Sequence, residues 1–175
     1  MEIRIREIIN EILLNNLELI KIAIRQRAKF EGWLKFELAY YLEHKGFTNV
    51  RVELMGENKE RSDVSFDYKD QIYLVELKTP NTNFRQKGVE NKHRPITKNI
   101  KSIIIDANKL KNKNGIIAFV LFPIPEKNTK WENYIERISF ETGIDISCEN
   151  NCNRVTIPLE NGENTTAVVC TFLSE

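Results

Sequence analysis

Two acidic residues and one lysine stand out in the segment RSDVSFDYKDQIYLVELKT, which covers residues 61–79. Asp63 lies near its start, and Glu76 and Lys78 lie two residues apart near its end, in an otherwise apolar stretch. Charged side chains in a buried strand cost free energy unless they are paired or used. Carboxylate oxygens are the ligands that hard cations such as Mg²⁺ prefer, so these residues are candidates for metal-assisted chemistry.

The segment predicts a β-hairpin with a two-residue turn at Lys69 and Asp70. In this register Asp63 lies directly opposite Glu76, with Cβ atoms about 5 Å apart, so the two carboxylates repel each other. Lys78 shares their face because it follows Glu76 by two residues. A divalent cation would remove the repulsion. A longer turn would change this register, and a simple salt bridge is the alternative interpretation of Glu76 and Lys78.

A further carboxylate, Glu37, lies on a helix predicted from about Phe30 to His44. It is three or four residues from several apolar residues, so it falls on the stripe that faces the core. A buried carboxylate needs a cation or a hydrogen-bond donor. The alternative is that the Glu37 side chain reaches solvent at the edge of the stripe. By comparison, Glu31 and Glu43 are predicted to face solvent.

The elements that must position these residues follow from hydrophobic periodicity. Together they predict an α/β protein, a mixed sheet flanked by helices. The predicted helices cover residues 3–28, 30–44, 96–111 and 130–143. The predicted strands cover residues 49–55, the two arms of the hairpin, residues 116–122, and weaker segments near 144–148, 154–158 and 167–173.

Length and composition indicate one domain of 175 residues, of which 41% are apolar and 29% are charged. Within it we distinguish an N-terminal helix, residues 1–28, whose many Ile and Leu residues could mediate assembly, a core over 30–122, and a C-terminal helix with strands over 123–175. The charged N-terminus is neither a signal peptide nor a membrane span, so no membrane partner is expected.

The cysteines indicate the cellular compartment. Cys148, Cys152 and Cys170 are an odd number, which favours a reducing, cytoplasmic setting over a disulfide framework. Cys148 and Cys152 could form half of a zinc or iron–sulfur site. No second Cys or His pair is near them in the sequence, so this interpretation is the weaker one.

Charge is unevenly distributed along the chain. Residues 84–113 contain nine basic and two acidic residues, a net charge of +7, whereas residues 126–175 have a net charge of −5. A local basic stretch can bind a polyanion such as nucleic acid, or it can simply be a solvated helix and loop.

The arrangement resembles the PD-(D/E)XK nuclease superfamily, whose core is the restriction-endonuclease-like fold. The resemblance rests on Glu37 in GWLKFELAYYL, Asp63 in RSDVSF, and Glu76 with Lys78 in YLVELKT, in the family's order. It covers residues 30–122 and departs from the pattern at Ser62, where the family has proline. It implies an α-β-β-β-α-β core, here with an extra N-terminal helix and a C-terminal β extension.

The resemblance also implies an activity, the hydrolysis of phosphodiester bonds, with DNA as the expected substrate. Asp63 and Glu76 would hold Mg²⁺ or Mn²⁺ together with the Leu77 carbonyl and, directly or through water, Glu37. Lys78 would orient or deprotonate the attacking water and offset charge on the phosphate.

The basic stretch after the hairpin would then contact nucleic-acid phosphates, and Lys98 is the member expected to come nearest to the metal. The candidate residues are Arg85, Lys87, Lys92, Arg94, Lys98 and Lys101. Cleavage of both strands of a duplex would favour a homodimer. The alternative is a catalytically inactive member of the same fold that binds nucleic acid or a protein partner.

Overall fold

The computed structural model describes residues 1–54 and 61–174. Its elements confirm an α/β protein with one mixed sheet flanked by helices. In chain order they are α1 (Glu2–Asn15), α2 (Leu17–Arg25), α3 (Glu31–His44), β1 (Thr48–Val52), β2 (Val64–Tyr68), β3 (Gln71–Lys78), α4 (Ile96–Leu110), β4 (Gly115–Pro125), α5 (Glu132–Thr142), α6 (Cys148–Asn151), β5 (Cys152–Pro158) and β6 (Asn164–Ser174).

The six-stranded sheet has the order β1-β2-β3-β4-β6-β5. Strands β1, β2 and β3 are antiparallel neighbours, and α4 then carries the chain to β4, which runs parallel to β3. Strand β6 pairs antiparallel with β4 on one side and with β5 on the other. Strand β4 therefore lies in the interior of the sheet, and its residues are buried almost throughout.

The predicted hairpin register is confirmed. Val64 pairs with Val75, and Tyr68 pairs with Gln71 across the turn. The two turn residues, Lys69 and Asp70, have φ values of 49° and 60°. Two consecutive left-handed residues give a turn whose twist matches that of the flanking strands, so the short connection determines which residues face each other.

Helices cover both faces of the sheet and form two apolar layers. Helices α1, α2 and α3 pack on one face, where Leu34 and Leu38 of α3 are fully buried. Helices α4 and α5 pack on the other face, which includes Ile103 of α4 and Ile138 of α5. Alternate residues of β3 face opposite layers.

The predicted N-terminal helix over residues 3–28 is two helices, separated at Asn16. The Asn16 side chain donates a hydrogen bond to the Ile12 carbonyl at 2.9 Å and so competes with the helical backbone. The apolar stripe of α1, which includes Ile9 and Leu13, is buried within the chain itself. Assembly through residues 1–28 stays a prediction.

The predicted strand near residues 144–148 is wrong. The chain instead enters the short helix α6, because the Ser147 side chain caps it by accepting a hydrogen bond from the Asn150 N–H at 3.1 Å. The first predicted strand extended to Met55, whereas β1 ends at Val52. Met55 and the loop predicted at residues 56–59 lie outside the described residues.

Arg27 connects the helical layer to the basic segment that follows β3. Its side chain is 2% exposed, and its guanidinium donates hydrogen bonds to the carbonyls of Thr82, Phe84 and Glu90. One buried side chain thereby fixes the backbone of a segment that otherwise has no regular secondary structure.

We expect Arg27→Met to lower the free energy of unfolding by about 2–4 kcal/mol, because three carbonyls lose their donor. Arg25→Met is the matched control. Within the described residues the Arg25 guanidinium forms only a surface ion pair with Glu160, and such pairs contribute about 0–1 kcal/mol. Urea denaturation of both variants measures the difference. Equal effects would show that Arg27 does not fix the segment.

Candidate active site

Strand β3 continues beyond the point where its partner β2 begins. The last β2–β3 pair joins Val64 to Val75, whereas β3 runs on to Lys78 with β4 as a neighbour on its other edge only. The N–H groups of Leu77 and Thr79, which point toward the β2 side, therefore have no strand acceptor. A sheet edge of this kind needs other acceptors.

Two carboxylates supply these acceptors. The Leu77 N–H donates to Asp63 Oδ2 at 2.9 Å, and the Thr79 N–H donates to Glu31 Oε2 at 3.3 Å. Asp63 is held by its own backbone, since its N–H donates to the Val75 carbonyl at 3.1 Å. The end of β3 thus gathers acidic side chains from the start of β2 and from the first turn of α3.

Asp63 has a second partner in Lys35 of α3. Lys35 Nζ lies 2.9 Å from Asp63 Oδ1 and 3.0 Å from Glu53 Oε1. Burial acts to raise the pKa of Asp63, but the hydrogen bonds from the Leu77 N–H and Lys35 outweigh it, so this pKa is lowered. Asp63 is therefore an ionised carboxylate at neutral pH.

Glu76 is in a different electrostatic environment. Its side chain is 7% exposed, and its Oε1 accepts from Lys109 Nζ of α4 at 2.7 Å, while Lys78 Nζ lies 3.8 Å from its Oε2. Burial, reinforced by the charge of Asp63, raises the pKa of Glu76 to about 7 despite the two lysines. Two neighbouring carboxylates thus titrate at different pH values, which is a frequent property of catalytic acid–base pairs.

Lys78 is the last residue of β3 and lies close to Glu76. Its Nζ lies 3.1 Å from Asp106 Oδ2 of α4 and donates to the Leu77 carbonyl at 3.2 Å. Burial acts to lower the pKa of Lys78, but the charges of Asp106 and Glu31 outweigh it and raise this pKa. Lys78 is therefore a charged hydrogen-bond donor at neutral pH and is unsuited to act as a base.

The structure brings Asp63, Glu76 and Lys78 together, with the Leu77 carbonyl between them. It does not bring in Glu37, which is half-buried on α3 and forms no ion pair or hydrogen bond with these residues in the described part of the chain. The prediction that Glu31 faces solvent is wrong. The first turn of α3 meets the end of β3, and Glu37 lies about 9 Å further along the helix axis.

Sequence reasoning missed three further charged residues of this cluster, Lys35, Asp106 and Lys109. They come from helices on both sides of the sheet and complete the ion pairs described above. A signal existed, because Asp106 and Lys109 are spaced i,i+3 and Glu31 and Lys35 are spaced i,i+4, which places each pair on one helix face. Helix spacing alone does not say what that face meets.

The predicted nucleic-acid-binding residues lie in two places. Lys98 and Lys101 are exposed on α4. The structure does not place Lys98 beside the carboxylates, because Asp106 lies about 12 Å further along the helix axis. The other candidates lie in the segment before α4. There Arg85 and Lys87 are exposed beside a surface groove, Lys92 pairs with Glu90, and Arg94 donates to the Arg27 carbonyl.

The oxygen atoms at the end of β3 are of the chemical type that hard divalent cations prefer as ligands. Two carboxylates, Asp63 and Glu76, act on each other electrostatically, and the Leu77 carbonyl lies beside them. Lys35 and Lys109 occupy one oxygen of each carboxylate. Within the described residues, no group of three or more His, Cys, Asp or Glu side chains is arranged to hold a metal ion, and this includes the cysteines.

The chain matches no protein-family model, no curated protein and no solved structure. In the described residues, no helix combines the length and apolar character that a membrane crossing requires. The inference of function therefore rests on the residues at the end of β3.

The raised pKa of Glu76 predicts a pH-dependent stability. Between about pH 4.5 and 7 the folded protein holds a proton that the unfolded chain releases, so the free energy of unfolding falls as pH rises through this range. Glu76→Gln removes the titration. Relative to wild type, the variant should gain on the order of 1–3 kcal/mol of stability between pH 5 and pH 8.

Urea denaturation at a series of pH values measures this difference. Glu43→Gln, at an exposed position of α3, is the control and should keep a constant offset from wild type. Parallel stability curves for Glu76→Gln and wild type would show that Glu76 has an ordinary pKa.

Proposed function

We propose that this chain is a metal-dependent nuclease that hydrolyses phosphodiester bonds, with DNA as its substrate. The observation that carries the proposal is the meeting of Asp63, Glu76 and Lys78 at the open end of β3, where two carboxylates of different pKa lie beside a charged lysine. The run α3-β1-β2-β3-α4-β4 supports assigning residues 30–122 to a restriction-endonuclease-like core.

The proposal assigns Mg²⁺ or Mn²⁺ to the Asp63 and Glu76 carboxylates and the Leu77 carbonyl. A bound divalent cation acidifies water and neutralises the leaving oxygen of a phosphodiester. Lys35 and Lys109 hold these carboxylates in the structure, and both side chains are long enough to turn away. Metal binding in this scheme exchanges two ammonium groups for one divalent ion.

Lys78 would act as a charged donor. Its ammonium, kept protonated by Asp106 and Glu31, would orient the attacking water and stabilise negative charge that grows on the phosphate. Metal binding at Glu76 requires the ionised carboxylate, so the raised pKa of this group means that binding would release a proton as well as the Lys109 ammonium.

Two further features support nucleic acid as the partner. Residues 84–113 have a net charge of +7, and the exposed cations among them include Arg85, Lys87, Lys98 and Lys101. Contacts from such residues to phosphates hold a nucleic-acid backbone without reading its sequence. Cleavage of both strands of a duplex with one active site per chain would favour two copies, which is the reason to expect a homodimer.

One observation favours a second candidate function, a protein of this fold that binds nucleic acid without cleaving it. Asp63 pairs with Lys35, Glu76 with Lys109 and Lys78 with Asp106. These ion pairs neutralise the site without a metal. The two candidates differ in whether a divalent cation can displace the lysines.

Cleavage assays test the first candidate. Labelled single-stranded, duplex, nicked and branched DNA are incubated with Mg²⁺, Mn²⁺ or EDTA. We expect metal-dependent cutting that falls by about 100-fold or more in Lys78→Ala, because the charged donor is lost. Lys127→Ala removes an exposed lysine elsewhere and should cut like wild type. Equal cutting by wild type and Lys78→Ala would indicate a contaminating nuclease and contradict the proposal.

Thermal denaturation with Mn²⁺ separates the two candidates. A bound ion at 100 times its dissociation constant stabilises a protein by about 2.7 kcal/mol, so Mn²⁺ should raise the Tm of the wild type. Glu76→Ala should abolish this shift. Lys109→Met should enlarge it, because the ammonium that competes for Glu76 is gone. If Mn²⁺ shifts neither wild type nor Lys109→Met, the binding protein is the better assignment.

A further inference from the structure

A second polar site is lined in part by the segment that follows β3. It is a pocket of about 400 Å³ between the α2–α3 connection, the segment after β3 and the first turn of α4. This volume is in the range of small-ligand sites. Its lining residues are Arg27, Lys29, Asn81, Arg94, Pro95 and Asn99.

Asn81 is the residue that first points to a ligand. Its side chain is 1% exposed, yet among residues 1–54 and 61–174 neither its Nδ2 nor its Oδ1 has a hydrogen-bond partner. Its backbone is fixed, because Asn81 bridges to Phe122 of β4 and the next N–H, of Thr82, donates to the Phe122 carbonyl at 2.7 Å. A buried amide without partners costs about 1–3 kcal/mol, so a group that enters the pocket and bonds to it is favoured.

The pocket also has an excess of positive charge. Arg27, Lys29 and Arg94 contribute to its wall, and within residues 1–54 and 61–174 none of them forms an ion pair with a carboxylate. Burial, and then the charge of Arg94, lower the pKa of Arg27. Arg94 Nε is buried and has no hydrogen-bond partner in the part of the chain that the structure describes. An anion in the pocket would offset this repulsion.

The third contribution comes from α4, whose first turn borders the pocket. Its first helical hydrogen bond joins the Asn99 N–H to the Pro95 carbonyl, and no side chain of the described residues caps the N-terminus. The N–H groups of a helix N-terminus and the helix dipole both favour a negative group. Lys29 Nζ lies 3.2 Å from Asn99 Oδ1, which holds this lysine at the same rim.

We propose that this pocket binds a phosphate group through Asn81, Arg94 and Lys29. A phosphate matches the site because it presents several acceptor oxygens to donors on different sides. The Asn81 amide supplies two N–H donors, and its oxygen can accept from a protonated phosphate oxygen. The source of the phosphate is either a nucleic-acid strand or a small phosphorylated molecule.

The pocket is close enough to the candidate active site for one strand to reach both. Asn81 follows Lys78 by three residues, so their Cα atoms are at most about 11 Å apart. If the proposed nuclease function holds, the pocket receives a phosphate of the same strand beside the bond that is cut. This last step alone rests on the proposed function.

Binding is measured in EDTA, so that cleavage plays no part. The probes are inorganic phosphate, a short DNA oligonucleotide with a 5′-phosphate, and the same oligonucleotide with a 5′-hydroxyl. Calorimetric titration of the full chain with each probe gives the dissociation constant of that probe. We expect binding that weakens at least tenfold in Asn81→Leu and in Lys29→Gln.

Neither substitution is expected to unfold the protein, so weaker binding can be assigned to the pocket. Asn81→Leu keeps the side-chain size and removes an unpartnered buried amide, so the free protein should be as stable as wild type or more stable. Lys29 is exposed, so Lys29→Gln leaves the core intact. Lys127→Gln, an exposed change of the same type elsewhere, should bind like wild type.

Each outcome has one meaning. If the 5′-phosphate oligonucleotide binds more tightly than the 5′-hydroxyl oligonucleotide, the pocket binds the phosphate at a strand end. If both bind equally, the pocket binds an internal phosphate of the strand. Binding of inorganic phosphate without either oligonucleotide identifies a small phosphorylated ligand. All three support the pocket if the two variants weaken them. No binding of any probe, or binding unchanged in Asn81→Leu and Lys29→Gln, overturns it, whatever the result of the cleavage assay.

Discussion

The charged cluster of this protein depends on a difference in extent between two neighbouring strands, β2 and β3. Strand β3 runs past the first residue of β2, so Leu77 and Thr79 present N–H groups that no strand accepts. Buried donors must be satisfied, and here the carboxylates of Asp63 and Glu31 satisfy them. Once acidic groups are held at this edge, cations are needed to neutralise them, and the lysines of α3 and α4 follow from that requirement.

Position in this cluster decides what each carboxylate does. Asp63 accepts from a backbone N–H and an ammonium, whereas Glu76 lies deeper under α4 and also feels the charge of Asp63. The same chemical group is therefore ionised at neutral pH in one place and has a pKa raised to about 7 in the other. Such divergence in pKa is frequent at functional sites, and here it follows from the backbone hydrogen bond that Asp63 accepts and from the burial of Glu76.

Features that depend on nearby residues could be predicted from the sequence. The turn at Lys69 and Asp70 defines the hairpin, so the alignment of Asp63 with Glu76 could be read from residue spacing alone. The role predicted for Glu37 on α3 could not be checked from residue spacing in this way. Periodicity assigns Glu37 to the apolar stripe, but which turn of α3 meets the sheet depends on how helix and strands pack. The same holds for Lys35, Lys109 and Asn81, whose surroundings come from segments distant in the sequence.

Arg27 gives the basic segment after β3 a property that its irregular backbone does not suggest. Because one buried guanidinium holds three of its carbonyls, residues 82–90 are already ordered before any ligand arrives. Binding to a loose segment loses conformational entropy at each contact, and a pre-ordered surface avoids most of that loss. If this segment binds a polyanion as proposed, modest contacts from a few cations would then give useful affinity, and a substitution of Arg27 would weaken binding and folding together.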